Sequence, residues 1–137
     1  MRDPLSEAKR WLRQADVDLG AARRLADDFS ALACFHAQQA AEKALKAILY
    51  ATGDRVVLGH SLADLGARAA LSTPDYEEVR AEVAKLDRYY VPTRYPNGLP
   101  AGGDPAEAFD AEDAATAIAT AERALEHARS FLAQEEK

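Results

Sequence analysis

The chain has 137 residues and a mass of 14.8 kDa, with 48% hydrophobic and 29% charged residues, enough for one domain, 1–137, with a buried core. Seventeen basic against 23 acidic residues give a net charge of −6, which argues against the broad basic field that grips duplex nucleic acid through its phosphates. No stretch approaches the roughly 18 apolar residues of a membrane span, and the charged start Met1-Arg2-Asp3-Pro4 has no apolar signal core, so the cytoplasm is the expected location.

The spacing predicts a first helix from about Pro4 to Asp28. Asp3 can cap its open amides and Pro4 suits its first position. Leu5, Ala8, Leu12, Ala15, Leu19, Ala22 and Ala26 then recur at steps of three and four, as one apolar stripe. A second helix is expected from about Ser30 to Ala51, ending before Gly53. Ala33, Ala37, Ala40, Ala44 and Ala47 share one side, which permits close helix approach. Phe35, Gln38, Gln39, Glu42, Lys46 and Leu49 share the other. Cys34, the single cysteine, rules out an internal disulfide and reads as a small buried hydrophobe.

After a loop from Thr52 to His60, Ser61 is placed to cap a short helix reaching about Leu71, with Asp64 at the capping-box position. Thr73-Pro74 opens another helix, in which Tyr76, Val79, Val83, Leu86 and Tyr90 keep the helical step. Pro92 and Pro96 end it. Residues 91 to 109 hold four prolines and three glycines without apolar periodicity, an irregular segment of the length that is usually functional or mobile. Asp110 is expected to cap a last helix, with Ala114, Ile118, Ala121, Leu125, Ala128 and Leu132 on its buried stripe. Nothing alternates with period two. The fold class is therefore all-α, a mostly antiparallel up-and-down bundle of four main helices plus a short one.

Arg94 is the first residue that could carry chemistry. Set in the proline-stiffened Thr93-Arg94-Tyr95-Pro96, it offers a planar fork of donors suited to phosphate. Tyr95 and Tyr89 offer faces for base stacking, and Arg88 or Lys46 would add charge, in a stretch that also holds Arg80 and Lys85. The alternative has Tyr89, Tyr90 and Tyr95 sealing the bundle end while Arg94 pairs with Glu42 or another acid. Gln38, Glu42 and Lys46 lie one turn apart and either line a cleft or form an exposed face. In the second case a Glu42–Lys46 pair is worth a few tenths of a kcal/mol. The three histidines, His36, His60 and His127, have no metal-ligand spacing. There is no Gly-rich phosphate loop, and no cofactor is expected.

Two segments, Ala37-Gln38-Gln39-Ala40-Ala41-Glu42-Lys43-Ala44-Leu45-Lys46-Ala47 and Leu86-Asp87-Arg88-Tyr89-Tyr90-Val91-Pro92-Thr93-Arg94-Tyr95-Pro96, are separated by a Gly59-His60-Ser61-Leu62 step. Together they resemble the bacterial HEPN family (higher eukaryotes and prokaryotes nucleotide-binding domain) over about Leu5 to Leu132. The resemblance implies a nucleotide- or RNA-binding module with a cleft between Arg94 and the Gln38–Glu42–Lys46 face. It also implies a homodimer, and a partner such as a minimal nucleotidyltransferase in a toxin–antitoxin-like pair.

Many HEPN proteins are metal-independent ribonucleases with an arginine, four to six residues, then a histidine, acting by acid–base and electrostatic catalysis. No histidine follows Arg94 or Arg88 at that distance. Arg55 and His60 have the spacing but lie in the wrong part of the domain, and Arg123 and His127 are one residue short. The expectation is therefore a binding module rather than an enzyme. An endoribonuclease using Arg94 with a displaced His60, and a partner-docking scaffold without a ligand, are the alternatives. His60 is otherwise expected to order the loop or cap the helix.

Overall fold

A computed structural model describes residues 3–137; Met1 and Arg2, half of the charged start discussed above, lie outside them. Helix α1 runs Pro4–Leu25 and begins as the sequence dictates, the Asp3 carboxylate accepting from the Ser6 amide at 3.0 Å. A turn over 26–28 leads into α2, Ser30–Ala51. Gly53, at φ +104°, then turns the chain out of the helix, in a backbone region that favours glycine.

The short helix α3, Leu62–Ser72, is capped by Ser61, whose Oγ accepts from the Asp64 amide at 3.2 Å. The next element is tighter at both ends than its spacing predicts. A 3₁₀ turn, Pro74–Tyr76, precedes α4, Glu77–Ala84, and a 3₁₀ segment, Lys85–Tyr89, follows it. Three residues per turn rotate the end of the element relative to an α-helix. The buried tyrosine is thus Tyr89, 2% exposed, and Tyr90 turns outward, half-buried.

The segment 91–109 is less irregular than its composition predicts, holding a 3₁₀ turn at Pro96–Gly98 and a single helical turn, α5, at Pro105–Ala108. Gly98 lies where this segment folds back closely on itself. A Cβ there would stand 3.0 Å from the Val91 side chain and 3.1 Å from the Pro92 backbone. Helix α6, Ala111–Glu135, opens on a reciprocal capping box between Asp110 and Asp113.

The architecture is all-α, with no strand among the described residues. Helix α2 lies between α1 and α6, and α3 and α4 pack together beside it. Alanines fill the shared faces: Ala8, Ala15 and Ala22 from α1, Ala33, Ala37, Ala40 and Ala44 from α2, and Ala117, Ala121 and Ala128 from α6, each at most 1% exposed. Small side chains let the three backbones approach closely. The larger payload comes from Leu19, Leu45, Ile48, Leu62, Leu65 and Leu125, roughly 1.5–3 kcal/mol for each fully buried side chain. No helix among the described residues is long and apolar enough to cross a membrane.

Candidate functional site

Helix α2 is buried nearly all round, so the two-sided pattern of its sequence does not translate into one dry face and one wet face. Gln38 is 0%, Glu42 3% and Lys46 6% exposed. The exposed-face reading of this stripe is therefore overturned. Glu42 sits at its centre. Its Oε2 pairs with the Lys46 ammonium at 3.1 Å, and its Oε1 accepts from Gln38 Nε2 at 3.4 Å. His60 closes the cluster, with Nδ1 3.1 Å from Oε1 and 3.2 Å from Oε2 of Glu42. A carboxylate only accepts, so Nδ1 carries the hydrogen and Nε2 is the ring nitrogen left to act elsewhere.

His60 reaches this place because its loop is pinned at three points. Tyr50 Oη accepts from the Val57 amide at 3.1 Å, and Arg68 holds Asp54 at 2.7 Å. The third pin is Asp87, which sequence reasoning missed although it lies within the quoted Leu86–Pro96 stretch. Its carboxylate accepts from the amides of Leu62 at 2.6 Å and Ala63 at 3.1 Å, and from Ser61 Oγ at 3.3 Å. Negative charge on the open amides of a helix start is favourable, and it binds α3 to the 3₁₀ segment. The helix start is thus capped by Ser61 and Asp87 rather than by His60.

The outer wall is aromatic. The His60 ring stacks on Tyr90 at 4.9 Å and 22°, and Phe35 leans against the same tyrosine at 6.4 Å. Arg94 lies over Phe35 at 4.2 Å and over Tyr90 and Tyr95 at 5.0 Å each. Its Nε and one Nη donate to the Tyr90 carbonyl at 3.0 and 2.6 Å. These two bonds engage only part of the guanidinium fork, and Arg94 forms no ion pair with Glu42 among the described contacts. The turn that carries it is closed by the amides of Arg94 and Tyr95, both donating to the Val91 carbonyl at 3.1 Å.

Several candidates from the sequence take structural places. Tyr89 is buried with its ring edge-on to Phe109, so it offers no open face for a base. Arg88 donates to Tyr89 Oη at 2.7 Å and lies over that ring. Thr93, 2% exposed, spends its hydroxyl on the Tyr89 carbonyl. Tyr95, 51% exposed, keeps an accessible ring. Of the run Arg80, Lys85, Arg88 and Arg94, Arg80 pairs with Glu77 and Lys85 with Glu82. His127 is packed rather than exposed, bonding Thr73 Oγ1 at 3.0 Å and meeting Tyr76 edge-on. Cys34 is fully buried, and burial pushes its thiol up to about 12.

The hollow of about 640 Å³ that Arg94 shares with the α1–α2 turn is not a phosphate site. Asp27, Asp28, Asp104 and Glu107 also line it, so four carboxylates oppose one guanidinium there. Among the described residues no group of three His, Cys, Asp or Glu side chains is disposed to hold a metal ion.

An all-α bundle whose central helix buries a polar Gln-Glu-Lys stripe beneath a histidine loop and an arginine turn defines the class of this protein. The HEPN domain model matches residues 8–131, and the chain belongs to that family. Two solved structures are similar along nearly their whole length. TT1696 from Thermus thermophilus is 37% identical with a TM-score of 0.76, the match covering 93% of this chain and 97% of that one. ST0689, an archaeal HEPN homologue, is 33% identical with a TM-score of 0.74 over 91% and 97%. No curated protein matches the chain.

Proposed function

We propose that this protein is a HEPN module that binds the phosphate of a nucleotide or RNA at the His60–Tyr90–Arg94 surface. The observation that carries the reading is the buried Glu42, which engages His60 Nδ1 at 3.1 Å and so fixes the ring against Tyr90, beside Arg94. Such a site holds donors in place before the ligand arrives, which reduces the ordering cost of binding. The remaining Arg94 donors, and His60 Nε2 when the imidazole carries a second proton, would meet phosphate, with Tyr95 as the base-stacking face.

A homodimer, and a partner such as a minimal nucleotidyltransferase in a toxin–antitoxin-like pair in the cytoplasm, are parts of this proposal that rest on family membership. Calorimetric titration of the wild type, Arg94→Ala and His60→Ala with a nucleotide and RNA panel tests the ligand. Equal affinity in all three would reject the site.

One observation favours a second reading. A carboxylate behind a histidine is the arrangement that orients a general base, so an endoribonuclease using His60 with Arg94 is the alternative. Incubation with RNA in the presence of a chelator separates the two readings by its products.

A further inference from the structure

We infer that the hollow between the α1–α2 turn and α5 is a docking site for a protein segment that carries Lys or Arg side chains beside apolar ones. The inference does not rest on the phosphate reading. The hollow holds about 640 Å³, within the range of about 300–1,000 Å³ typical of pockets that bury a ligand group. Phe29 and Leu32, 58% and 39% exposed, line it from the start of α2. Single exposed apolar residues are ordinary, but two in one concave face with a polar rim mark an interaction surface.

Phe29 stands where the local structure has no use for it. It occupies the N-cap of α2, where Ser, Thr, Asp or Asn would accept from an open amide, and it makes no such bond. Nor is it packed against the core. Neither helix formation nor burial therefore accounts for an aromatic at this position. The rim supplies the second feature. Asp27 and Asp28 line the hollow from the α1–α2 turn, and Asp104 and Glu107 from the α5 side. All four are exposed, and none of these carboxylates has an ion pair or side-chain hydrogen bond among the described residues. Acids elsewhere are matched, Asp16 with Arg129, Glu77 with Arg80 and Glu122 with Arg23. Arg94, the one cation among the lining residues, is engaged with the Tyr90 carbonyl.

This chemistry selects the occupant. Lys and Arg lay their carbon stems over apolar surface while their charged heads reach outward, and a guanidinium is also attracted to an aromatic face. Such side chains, with an apolar neighbour, cover Phe29 and Leu32 and meet the carboxylates at the same time. Nucleic acid and anionic membrane surfaces are repelled by the same four acids. A second copy fits poorly, because a two-fold contact sets this patch against itself in a chain of net charge −6. A small polyamine would match the charge and leave the apolar side chains uncovered.

The test uses the full chain and three sets of fluorescein-labelled synthetic peptides. The first set joins Arg and Lys to Leu, the second has each Leu changed to Ser, and the third has each basic residue changed to Glu. Anisotropy titration should show binding of the first set and much weaker binding of the other two. Phe29→Ser should lower that affinity about five- to thirtyfold, as truncation of an anchoring aromatic does. It should hold or raise the melting temperature, because serine can cap the helix, whereas a merely structural Phe29 would lower it. Asp27→Asn/Asp28→Asn should weaken binding and flatten its dependence on salt. No binding of the first set, equal binding of the serine set, or unchanged affinity in both variants would overturn the inference. Dissociation of a homodimer by Phe29→Ser in sedimentation equilibrium would assign the face to a second copy and overturn it too.

Discussion

Glu42 holds His60 across 18 residues of chain: the carboxylate side chain is 4% exposed, the imidazole 56%, and Nδ1 bridges toward both carboxylate oxygens at 3.1 and 3.2 Å. A buried charge thereby fixes a surface group. The same carboxylate neutralises Lys46, whose side chain is 7% exposed. The Gln38–Glu42–Lys46 stripe is therefore part of the support for the site and part of the stability of the bundle.

Replacing Glu42 by alanine should leave the Lys46 ammonium buried without its counter-charge. Removing one partner of a buried pair costs about 3–5 kcal/mol, a drop in melting temperature on the order of 10–20 °C. Lys46→Met combined with Glu42→Ala should recover part of that loss. A thermal double-mutant cycle measures the coupling, and additive losses would show that the two side chains act independently.

Arg94→Ala should weaken binding by about 1.5–3 kcal/mol, roughly ten- to over a hundred-fold. Arg94→Lys should restore only part, because the ammonium keeps the charge and loses the fork. The guanidinium also donates twice to the Tyr90 carbonyl and lies over three aromatic rings. Arg94→Ala should accordingly also cost about 1–3 kcal/mol of stability. Chemical denaturation run beside the titration separates the two effects, and a large stability loss with unchanged affinity would make Arg94 a structural residue only.

No strong metal-independent ribonuclease activity is expected, because Arg94 lacks a histidine at the family's spacing. Acid–base assistance of that kind contributes roughly 10²–10⁴-fold in rate. RNA incubated with the protein and a chelator should stay intact. Cleavage leaving 2′,3′-cyclic phosphate ends that disappears in His60→Ala would instead establish His60, oriented by Glu42, as the base.

Cys34 should resist alkylation in the native protein near pH 8 and react once the chain unfolds. Burial raises its folded-state value to about 12, from about 8.5 in an unfolded chain. The protonated thiol therefore favours the fold. Its contribution is complete below about pH 8.5 and is lost as pH rises toward 12, because the unfolded state ionises first. Cys34→Ala should flatten the alkaline limb of a stability-against-pH curve, and an unchanged limb would assign alkaline instability to other groups.

A homodimer is expected in solution, with the two Arg94 turns brought near each other by a two-fold axis. Sedimentation equilibrium at micromolar concentration checks it. Only monomer across that range would remove the dimer from the proposal.

The starts of α1, α3 and α6 and the end of α2 were legible in the sequence because their causes are local, whereas α1 stops at Leu25 rather than near Asp28 and α4 at Ala84. Asp3, Ser61 and Asp110 bond amides three residues away, and Gly53 needs nothing beyond its own backbone to end α2. Alanine and leucine periodicity carried the all-α class for the same reason, and the two family-like segments carried the family through residues adjacent in the chain. The site depended on contacts of another kind. Asp87 reaches Leu62 across 25 residues and His60 reaches Glu42 across 18, separations at which no spacing rule operates. A polar stripe reads the same in sequence whether water or protein covers it, so the burial of Gln38, Glu42 and Lys46 was decided only by the helices and loop packed over α2. The exchange of Tyr90 for Tyr89 in the core likewise followed from the 3₁₀ tightening at Lys85–Tyr89, a change of helical step that packing imposes and local propensity does not announce.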